Sequence, residues 1–186
     1  MVVADADGNA VTGTHTIESL PFGSGIFVGG IPLNNTATLH PFVEGLAYST
    51  PPASYIIEPL SATLAFDKGQ LRLAASTFSS SLWPADFELT TSALDFGWSP
   101  ERIALTPRFG GYALDLSKMT ADMSSNALDK RYSQGVVAEM QKRGLKLSQA
   151  GYIDTGMLVL IERDPATGTM TGFTPEQLID GKAAGY

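Results

Sequence analysis

Cysteine is absent from this chain of 186 residues, which excludes disulfides, cysteine-ligated zinc and thiol nucleophiles. Basic residues are also few, since 12 lysines and arginines against 19 acidic residues give a net charge of −7. A nucleic-acid-binding surface needs clustered cations to neutralise phosphates, so no nucleic-acid partner is expected. No apolar run reaches the roughly 18–20 residues that span a bilayer, and no signal-peptide pattern opens the chain, so no membrane partner is expected.

What the chain does contain is the composition of a globular domain: 44% of its residues are hydrophobic and its mean hydropathy is +0.05. Its length fits one domain, or one subunit of a composite domain. A chain without cysteine tolerates either redox compartment. Composition therefore leaves the localisation unknown, with a soluble periplasmic or a soluble cytoplasmic protein both open.

Signals near the start predict a hairpin followed by a glycine-rich loop. Asp7-Gly8-Asn9 separates two extended runs, Met1–Ala4 and Ala10–Ile17. Residues 22–30 follow, and their glycines permit positive φ and close approach of the backbone. Alternation along the second extended run places its threonines on one face: Thr12, Thr14 and Thr16.

The rest of the sequence predicts one layered unit of helices and mostly antiparallel strands. Strands are predicted over Thr63–Phe66, Leu71–Ala75, Tyr152–Ile161 and Thr169–Phe173. Helices are predicted from Pro84 to Phe96, from Pro100, over residues 132–143, and from Pro175 after a capping-box threonine. The apolar stripes expected to face the core are Phe87, Ala93, Leu94 and Phe96 on the first helix and Val136, Val137 and Met140 on the third.

The order of these segments resembles the C-terminal small subunit of the γ-glutamyltransferase family, also called glutathione hydrolases. No single matching segment is specific, but the segments run in family order from one end of the chain to the other. They are Asp7–Val11, Thr14 with Thr16, Phe22–Ile26, Leu33–Asn35, Pro59–Ser61, Pro107–Phe109, Asp164-Pro165 and Ala184–Tyr186.

The resemblance implies an α+β fold, namely the small-subunit half of an Ntn-hydrolase-like αββα sandwich. Residues 1–186 would form a single small-subunit unit. The large subunit, cut from the same precursor and absent from this chain, would be its required partner. The implied reaction cleaves or transfers an acyl group of the γ-glutamyl type, taken from a small-molecule amide or a peptide. No metal ion and no organic cofactor are implied.

The family's nucleophile is the N-terminal threonine of the small subunit, whose own amine serves as the general base. That subunit begins Thr-Thr-His, and matching it through Asp7-Gly8 puts the nucleophile three residues before Met1. Thr16 matches the family's second threonine and is expected to orient the nucleophile, although β propensity alone also favours a threonine there. Backbone N–H groups near Ser79 are expected to hold the oxyanion, with helix capping as the alternative role of residues 76–81.

The resemblance implies five candidate substrate-binding residues: Glu18, Asn35, Thr36, Leu39 and Ser61. Asn35 matches the family, whereas several of the others depart from its pattern. Glu18 stands where the family has an asparagine that contacts substrate. After Asn35, Thr36 and Leu39 replace a glutamine and an aspartate that bind the γ-glutamyl amine, and leucine cannot accept a hydrogen bond from an ammonium group. Ser61 remains from a serine pair that grips the α-carboxylate.

Three functions therefore stay open. The chain belongs to a γ-glutamyltransferase-like amidohydrolase, to an acylase for non-glutamyl amides, or to a binding or structural module that has lost the nucleophile. A calcium loop at Asp5, Asp7 and Asn9 is disfavoured, because the downstream bidentate glutamate is missing and a hairpin turn explains these residues better. No metal site is predicted.

Overall fold

The computed structural model describes residues 1–16, 25–33, 51, 53–55, 60–78, 82–111, 113–115, 120–122, 124–150, 157–174 and 181–185. Its contacts divide the chain into two compact units. The larger unit is Met1–Thr14 with Leu60–Tyr186, and the smaller is His15–Pro59.

Helices and strands are mixed along the chain, as the predicted α+β class requires. The helices are α1 (Leu82–Leu94), α2 (Pro100–Leu105) and α3 (Gln134–Lys142). The strands are β1 (Val2–Ala4), β2 (Ala10–Thr12), β3 (Phe27–Val28), β4 (Ile31–Pro32), β5 (Ser61–Asp67), β6 (Gln70–Phe78), β7 (Phe109–Gly110), β8 (Ala113–Asp115), β9 (Thr120–Asp122), β10 (Asn126–Asp129), β11 (Leu147–Ala150), β12 (Met157–Arg163) and β13 (Met170–Phe173).

The central sheet of the larger unit has the strand order β13-β12-β6-β5, and all of its pairings are antiparallel. Helices α1 and α2 pack on this sheet, and so does the hairpin β1–β2. Consecutive residues of a strand point to opposite faces, yet every residue of β6 from Leu73 to Thr77 is buried. Strand β6 is therefore covered on both faces, with helices on one side and the hairpin on the other.

The main core lies on the helical face of the sheet. Alternate residues of β6 and β12 meet the inward side of α1 and α2 there, and burial of these aliphatic side chains is the main stabilising term of this layer. The cluster consists of Leu73, Ala75, Leu89, Ala93, Ile103, Ala104, Leu158 and Leu160.

The predicted first hairpin is confirmed as β1 and β2. Both carboxylate oxygens of Asp5 accept hydrogen bonds from Asn9, at 2.9 Å from its backbone N–H and 2.8 Å from its side-chain Nδ2. These bonds lower the pKa of Asp5, and Gly8 adopts the positive φ of 89° that the turn needs. Strand β2 covers Ala10–Thr12, so the expected extended run is shorter in the described residues, and Ile17 lies outside them.

Helix α1 is confirmed, but its predicted apolar stripe is wrong in part. Ala93 faces the core as predicted, whereas Phe87 and Leu94 are 72% and 42% exposed. Phe96 lies beyond the end of the helix and is 66% exposed. The inward stripe is Ala85, Leu89 and Ala93, whose i, i+4, i+8 spacing keeps one face toward the sheet. Phe87 therefore lies on the outward side of this helix, and the inward side carries one leucine between two alanines.

The two later helices follow their capping signals. The Ser99 side chain accepts the N–H of Arg102 at 3.3 Å, and Pro100 occupies the first turn of α2, as predicted. Ser133 caps α3 in the same way. The predicted inward position of Val136 is wrong, because its side chain is 42% exposed and α3 has no buried residue in the described part of the chain.

Around α3 the sheet pairing departs from the antiparallel expectation. Strand β10 pairs with β7 antiparallel but with β11 in parallel, and α3 makes the crossover between β10 and β11. A parallel pair needs such a connection, so the helix and the pairing are consistent with each other. The expected strand Tyr152–Ile161 appears as β12, starting at Met157, and the expected strand Thr169–Phe173 appears as β13. Residues 151–156 and the helix predicted from Pro175 lie outside the described residues.

Within the smaller unit, the glycine-rich segment forms a short hairpin of β3 and β4. Its turn residues Gly29 and Gly30 have φ of 59° and 83°, the two positive values of a type I′ turn. Among the helices that the structure describes, none has the length and apolar character needed to cross a membrane.

We expect Leu89→Ala to lower the free energy of unfolding by about 2–5 kcal/mol, since it leaves a cavity against the central sheet. Leu105→Ala is the matched control, because that side chain is 49% exposed and its loss should cost under about 0.5 kcal/mol. Urea unfolding followed by circular dichroism measures both. Equal losses in the two variants would contradict the placement of the core.

Candidate active site

A cluster of hydroxyls lies between strand β2 and the central sheet. Thr14 Oγ1 is 2.7 Å from Ser76 Oγ, and the two hydroxyls lie 3.3 and 3.2 Å from the carbonyl oxygen of Ser61. We call Thr14, Ser61 and Ser76 the hydroxyl cluster. Two residues earlier in the chain, Thr12 Oγ1 donates to the carbonyl of Ala75 at 2.7 Å.

The number of available protons limits which groups in the hydroxyl cluster can donate hydrogen bonds. Each hydroxyl has one proton and the Ser61 carbonyl has none, so one hydroxyl donates to the other and the second donates to the carbonyl. Ser76 is 2% and Ser61 6% exposed, and a buried hydroxyl without a partner is costly. The cluster is therefore a satisfied chain of two hydrogen bonds that fixes Thr14 against β5 and β6.

The sequence indicated this contact only in part. Alternation correctly places Thr12 and Thr14 on one face, and both bond to the central sheet. Ser76 as a partner of Thr14 was missed, although its position in β6 with side chains alternating between the two faces was a usable signal.

The predicted site residues fall into three groups. Ser61 lies at the start of β5, opposite Thr77 of β6, and contributes its carbonyl to the hydroxyl cluster. Thr16 is half-buried and belongs to the smaller unit. The remaining candidates lie outside the described residues: Glu18, Asn35, Thr36, Leu39 and Ser79. The catalytic or substrate-binding role of all seven stays a prediction.

On the other side of the larger unit, charged side chains hold the segment Pro107–Phe109. Arg108 is 3% exposed and donates from Nη1 to the carbonyls of Ile103 and Ala104, at 3.2 and 3.4 Å. These carbonyls belong to the last turn of α2, which has no internal donors for them. The arginine thus stabilises the end of α2 and fixes the segment that follows it.

Asp129 is the anionic centre next to this segment. Arg131 donates from Nε to both carboxylate oxygens at 3.0 Å and from its backbone N–H at 2.9 Å. Burial alone would raise the pKa of Asp129, but the hydrogen bonds and charge of Arg131 outweigh it and lower that pKa. The aspartate is therefore ionised and paired at neutral pH.

Glu88 on α1, unlike Asp129, carries a carboxyl group that no cation in the described part of the chain pairs with directly. Its Oε1 accepts the N–H of Phe109 at 3.4 Å, while its Oε2 is buried and has no hydrogen-bond partner among the described residues. Burial raises the pKa of Glu88 to about 7, against the opposing effects of the Phe109 N–H and Arg108. Nearby, Tyr132 donates to the Pro107 carbonyl at 2.9 Å, and burial with the charges of Glu88 and Asp129 raises its pKa to about 12.

A metal centre is not formed by the part of the chain that the structure describes, since no three histidine or acidic side chains there converge on one point. Asp5 and Asn9 bond to each other in the hairpin turn, as the turn interpretation predicted.

The chain is similar to known proteins over nearly its whole length. The family model described as gamma-glutamyltranspeptidase matches residues 1–185. A gamma-glutamyltranspeptidase from Pseudomonas nitroreducens complexed with L-DON is 20% identical with a TM-score of 0.73, covering 100% of this chain and 96% of that chain. A mutant gamma-glutamyltranspeptidase from Helicobacter pylori is 20% identical with a TM-score of 0.76, covering 96% and 98%.

The transpeptidase CapD of Bacillus anthracis is 18% identical with a TM-score of 0.70, and the match covers 100% of this chain and 98% of that chain. At these identities the structural matches show the fold alone, which is the α+β fold of these transpeptidases. A search of curated proteins gives no significant match.

We expect Thr14→Val to lower the free energy of unfolding by about 1–3 kcal/mol, because the isosteric valine leaves a buried hydroxyl of the cluster with one partner fewer. Thr14→Ser keeps the hydroxyl and is the matched control. In a double-mutant cycle with Ser76→Ala, unfolding in urea should show a coupling of about 0.5–3 kcal/mol. Strictly additive losses would show that the two hydroxyls do not interact.

Proposed function

Because this chain belongs to the gamma-glutamyltranspeptidase family, we propose that it is the small subunit of an N-terminal nucleophile amidohydrolase. Its nucleophile is a threonine three residues before Met1. The free amine of that threonine takes the proton of its own hydroxyl, and Oγ attacks the carbonyl carbon of the amide substrate. The amide C–N bond of the substrate then breaks, and the amine product leaves with the proton taken from the threonine hydroxyl. Water or an acceptor amine next attacks the acyl-threonine ester and releases the acyl group.

The register of the first hairpin carries this proposal. Val2 pairs with Thr12 and Val3 with Val11, and the backbone bonds between Met1 and Gly13, both 2.9 Å, continue the same register. We infer that, if this register continues for three more positions beyond the observed strand, the residue three before Met1 pairs with Thr16. Directly opposed residues share a face, with Cβ atoms about 4.5–5.5 Å apart. A threonine at that position would thus have the Thr16 hydroxyl within reach.

The hydroxyl cluster supports a positioning role for the segment after β2 that leads to Thr16. Thr14 is bonded to Ser76 and to the Ser61 carbonyl, and it lies two residues before Thr16. A displacement of about 1 Å at a reacting group can cost roughly a hundredfold in rate, so a fixed segment at this point has catalytic value. Backbone N–H groups near Ser79, just after β6, are proposed to hold the oxyanion.

A large subunit is the proposed partner. Val3 and Val11 lie opposite each other on the hairpin, and their side chains are 54% and 59% exposed. We propose that this exposed apolar pair is part of the surface that the large subunit covers. In one protein of similar structure, an acivicin-inhibited gamma-glutamyltranspeptidase, the C-terminus has critical roles in autoprocessing and catalysis. Autoprocessing in that relative is consistent with a partner made from the same precursor.

The substrate is proposed to carry a γ-glutamyl-type acyl group, with hydrolysis of another acyl group as the second candidate. One observation favours the second candidate. Thr36 and Leu39 stand where the family resemblance places the two side chains that bind the γ-glutamyl amine. An aliphatic side chain favours an apolar acyl group over an ammonium-bearing one.

For the protein expressed from its complete gene, we expect Thr16→Val to lower kcat on a γ-glutamyl anilide about a hundredfold with little change in KM, because the variant loses the group that orients the nucleophile. Thr16→Ser is the matched control and should retain most of the rate. Steady-state kinetics of the released aniline measure both. A valine variant with the wild-type rate would show that the Thr16 hydroxyl does not orient the nucleophile.

The acyl group that the enzyme prefers can be identified by comparing kcat/KM for γ-glutamyl, long-chain fatty and phenylacetyl anilides. If the γ-glutamyl group is the substrate, it should be preferred, and Leu39→Asp should improve its use by roughly tenfold, since a charge-assisted hydrogen bond to the amine is gained. Preference for an apolar acyl group would favour the acylase. No turnover of any anilide, with an intact fold, would favour the non-catalytic module.

A further inference from the structure

A cavity of about 210 Å³ opens on the helical side of the larger unit, away from the hydroxyl cluster. Helix α1 forms one wall and α2 with the segment after it forms the other. The hydroxyl cluster lies under the hairpin, on the opposite face of the central sheet, so the cavity is a separate place in the fold. Its volume is below the roughly 300–1,000 Å³ of sites for drug-sized molecules, so its occupant is small.

Aromatic side chains line this cavity and remain open to solvent. Phe87 and Phe96 both contribute to its lining, and they are 72% and 66% exposed. The Phe96 and Trp98 rings lie 6.1 Å apart, and the Arg102 guanidinium sits 3.9 Å from the centre of the Trp98 ring. Arg102 already lies over one face of Trp98, so these rings offer their remaining apolar surface to the hydrocarbon part of a ligand.

Glu88 supplies the polar group of the cavity. Its Oε2 lacks a partner among the described residues and is buried, so a ligand in the cavity reaches this oxygen only after the carboxyl rotates toward it. The bond from the Phe109 N–H to Oε1 is long at 3.4 Å and opposes that rotation only weakly. Arg108, which also lines the cavity, is occupied by the two α2 carbonyls, and Tyr132 donates to Pro107. Asp129 and Arg131, beyond Tyr132, are paired with each other.

A buried carboxylate acceptor without a donor, beside open aromatic faces, is complementary to a cation that carries both N–H donors and an apolar body. We propose that this cavity binds a small organic ammonium ion, with the amine on Glu88 Oε2 and the apolar part against Phe96 and Trp98. The site is independent of the proposed active site, and its occupancy requires no acyl transfer.

The probe is phenethylammonium, titrated calorimetrically into the protein expressed from its complete gene at pH 8. We expect saturable binding with a Kd on the order of 1 mM, typical of a ligand of this size. Glu88→Gln should weaken it at least tenfold. Glu101→Gln makes the same charge change at an exposed position of α2 and should leave it unchanged. The neutral analogue 2-phenylethanol should bind at least tenfold more weakly.

Binding should also depend on pH. The ammonium pairs with the ionised carboxylate, so affinity should fall about tenfold from pH 8 to pH 6 as Glu88, with its pKa near 7, takes up a proton. The carbon NMR signal of the Glu88 carboxyl provides a second readout in the unmutated protein, and the probe should lower its titration midpoint. Absence of saturable binding, equal binding by Glu88→Gln, or an unshifted carboxyl midpoint would each overturn the proposal.

Discussion

The two hydrogen bonds that join Thr14, Ser76 and the Ser61 carbonyl are the constraint that fixes the first hairpin on the central sheet. Strand β6 is buried on both faces, and a polar residue can stay there only if its hydroxyl is paired. Pairing Ser76 with Thr14 meets that requirement and at the same time fixes the hairpin on the sheet. The same bonds fix the chain at Thr14, two residues before Thr16. One contact therefore satisfies the buried Ser76 hydroxyl, packs the hairpin on the sheet and supports the proposed catalytic geometry.

Local signals in the sequence predicted the parts of the fold that local chemistry determines. Asp5, Gly8 and Asn9 make the first turn by themselves, and Ser99 with Pro100 begins α2 as expected. Burial was less predictable, because it depends on what packs from elsewhere. Phe87 is apolar yet faces outward, because the side of α1 that meets the sheet carries Ala85, Leu89 and Ala93.

The candidate site shows the same division. A period of two was enough to group Thr12 and Thr14, whereas their partners on β5 and β6 are more than 40 residues away in the chain. Nothing in the sequence indicated that Glu88 is unusual. Its pKa is raised because this side chain of α1 is buried against the segment after α2, which is distant from it in the chain. The family, by contrast, was predictable from the order of short segments, none of which is specific alone, and the family model confirms it over residues 1–185.

The central claim is that a threonine three residues before Met1 becomes the N-terminus of this subunit. N-terminal sequencing with intact-mass measurement of the protein purified from its natural source tests it most directly. The expected result is a chain that begins Thr-Thr-His-Met, accompanied by a second polypeptide from the same precursor. A chain that begins at Met1 without a partner would contradict the claim and leave a binding or structural role for the fold.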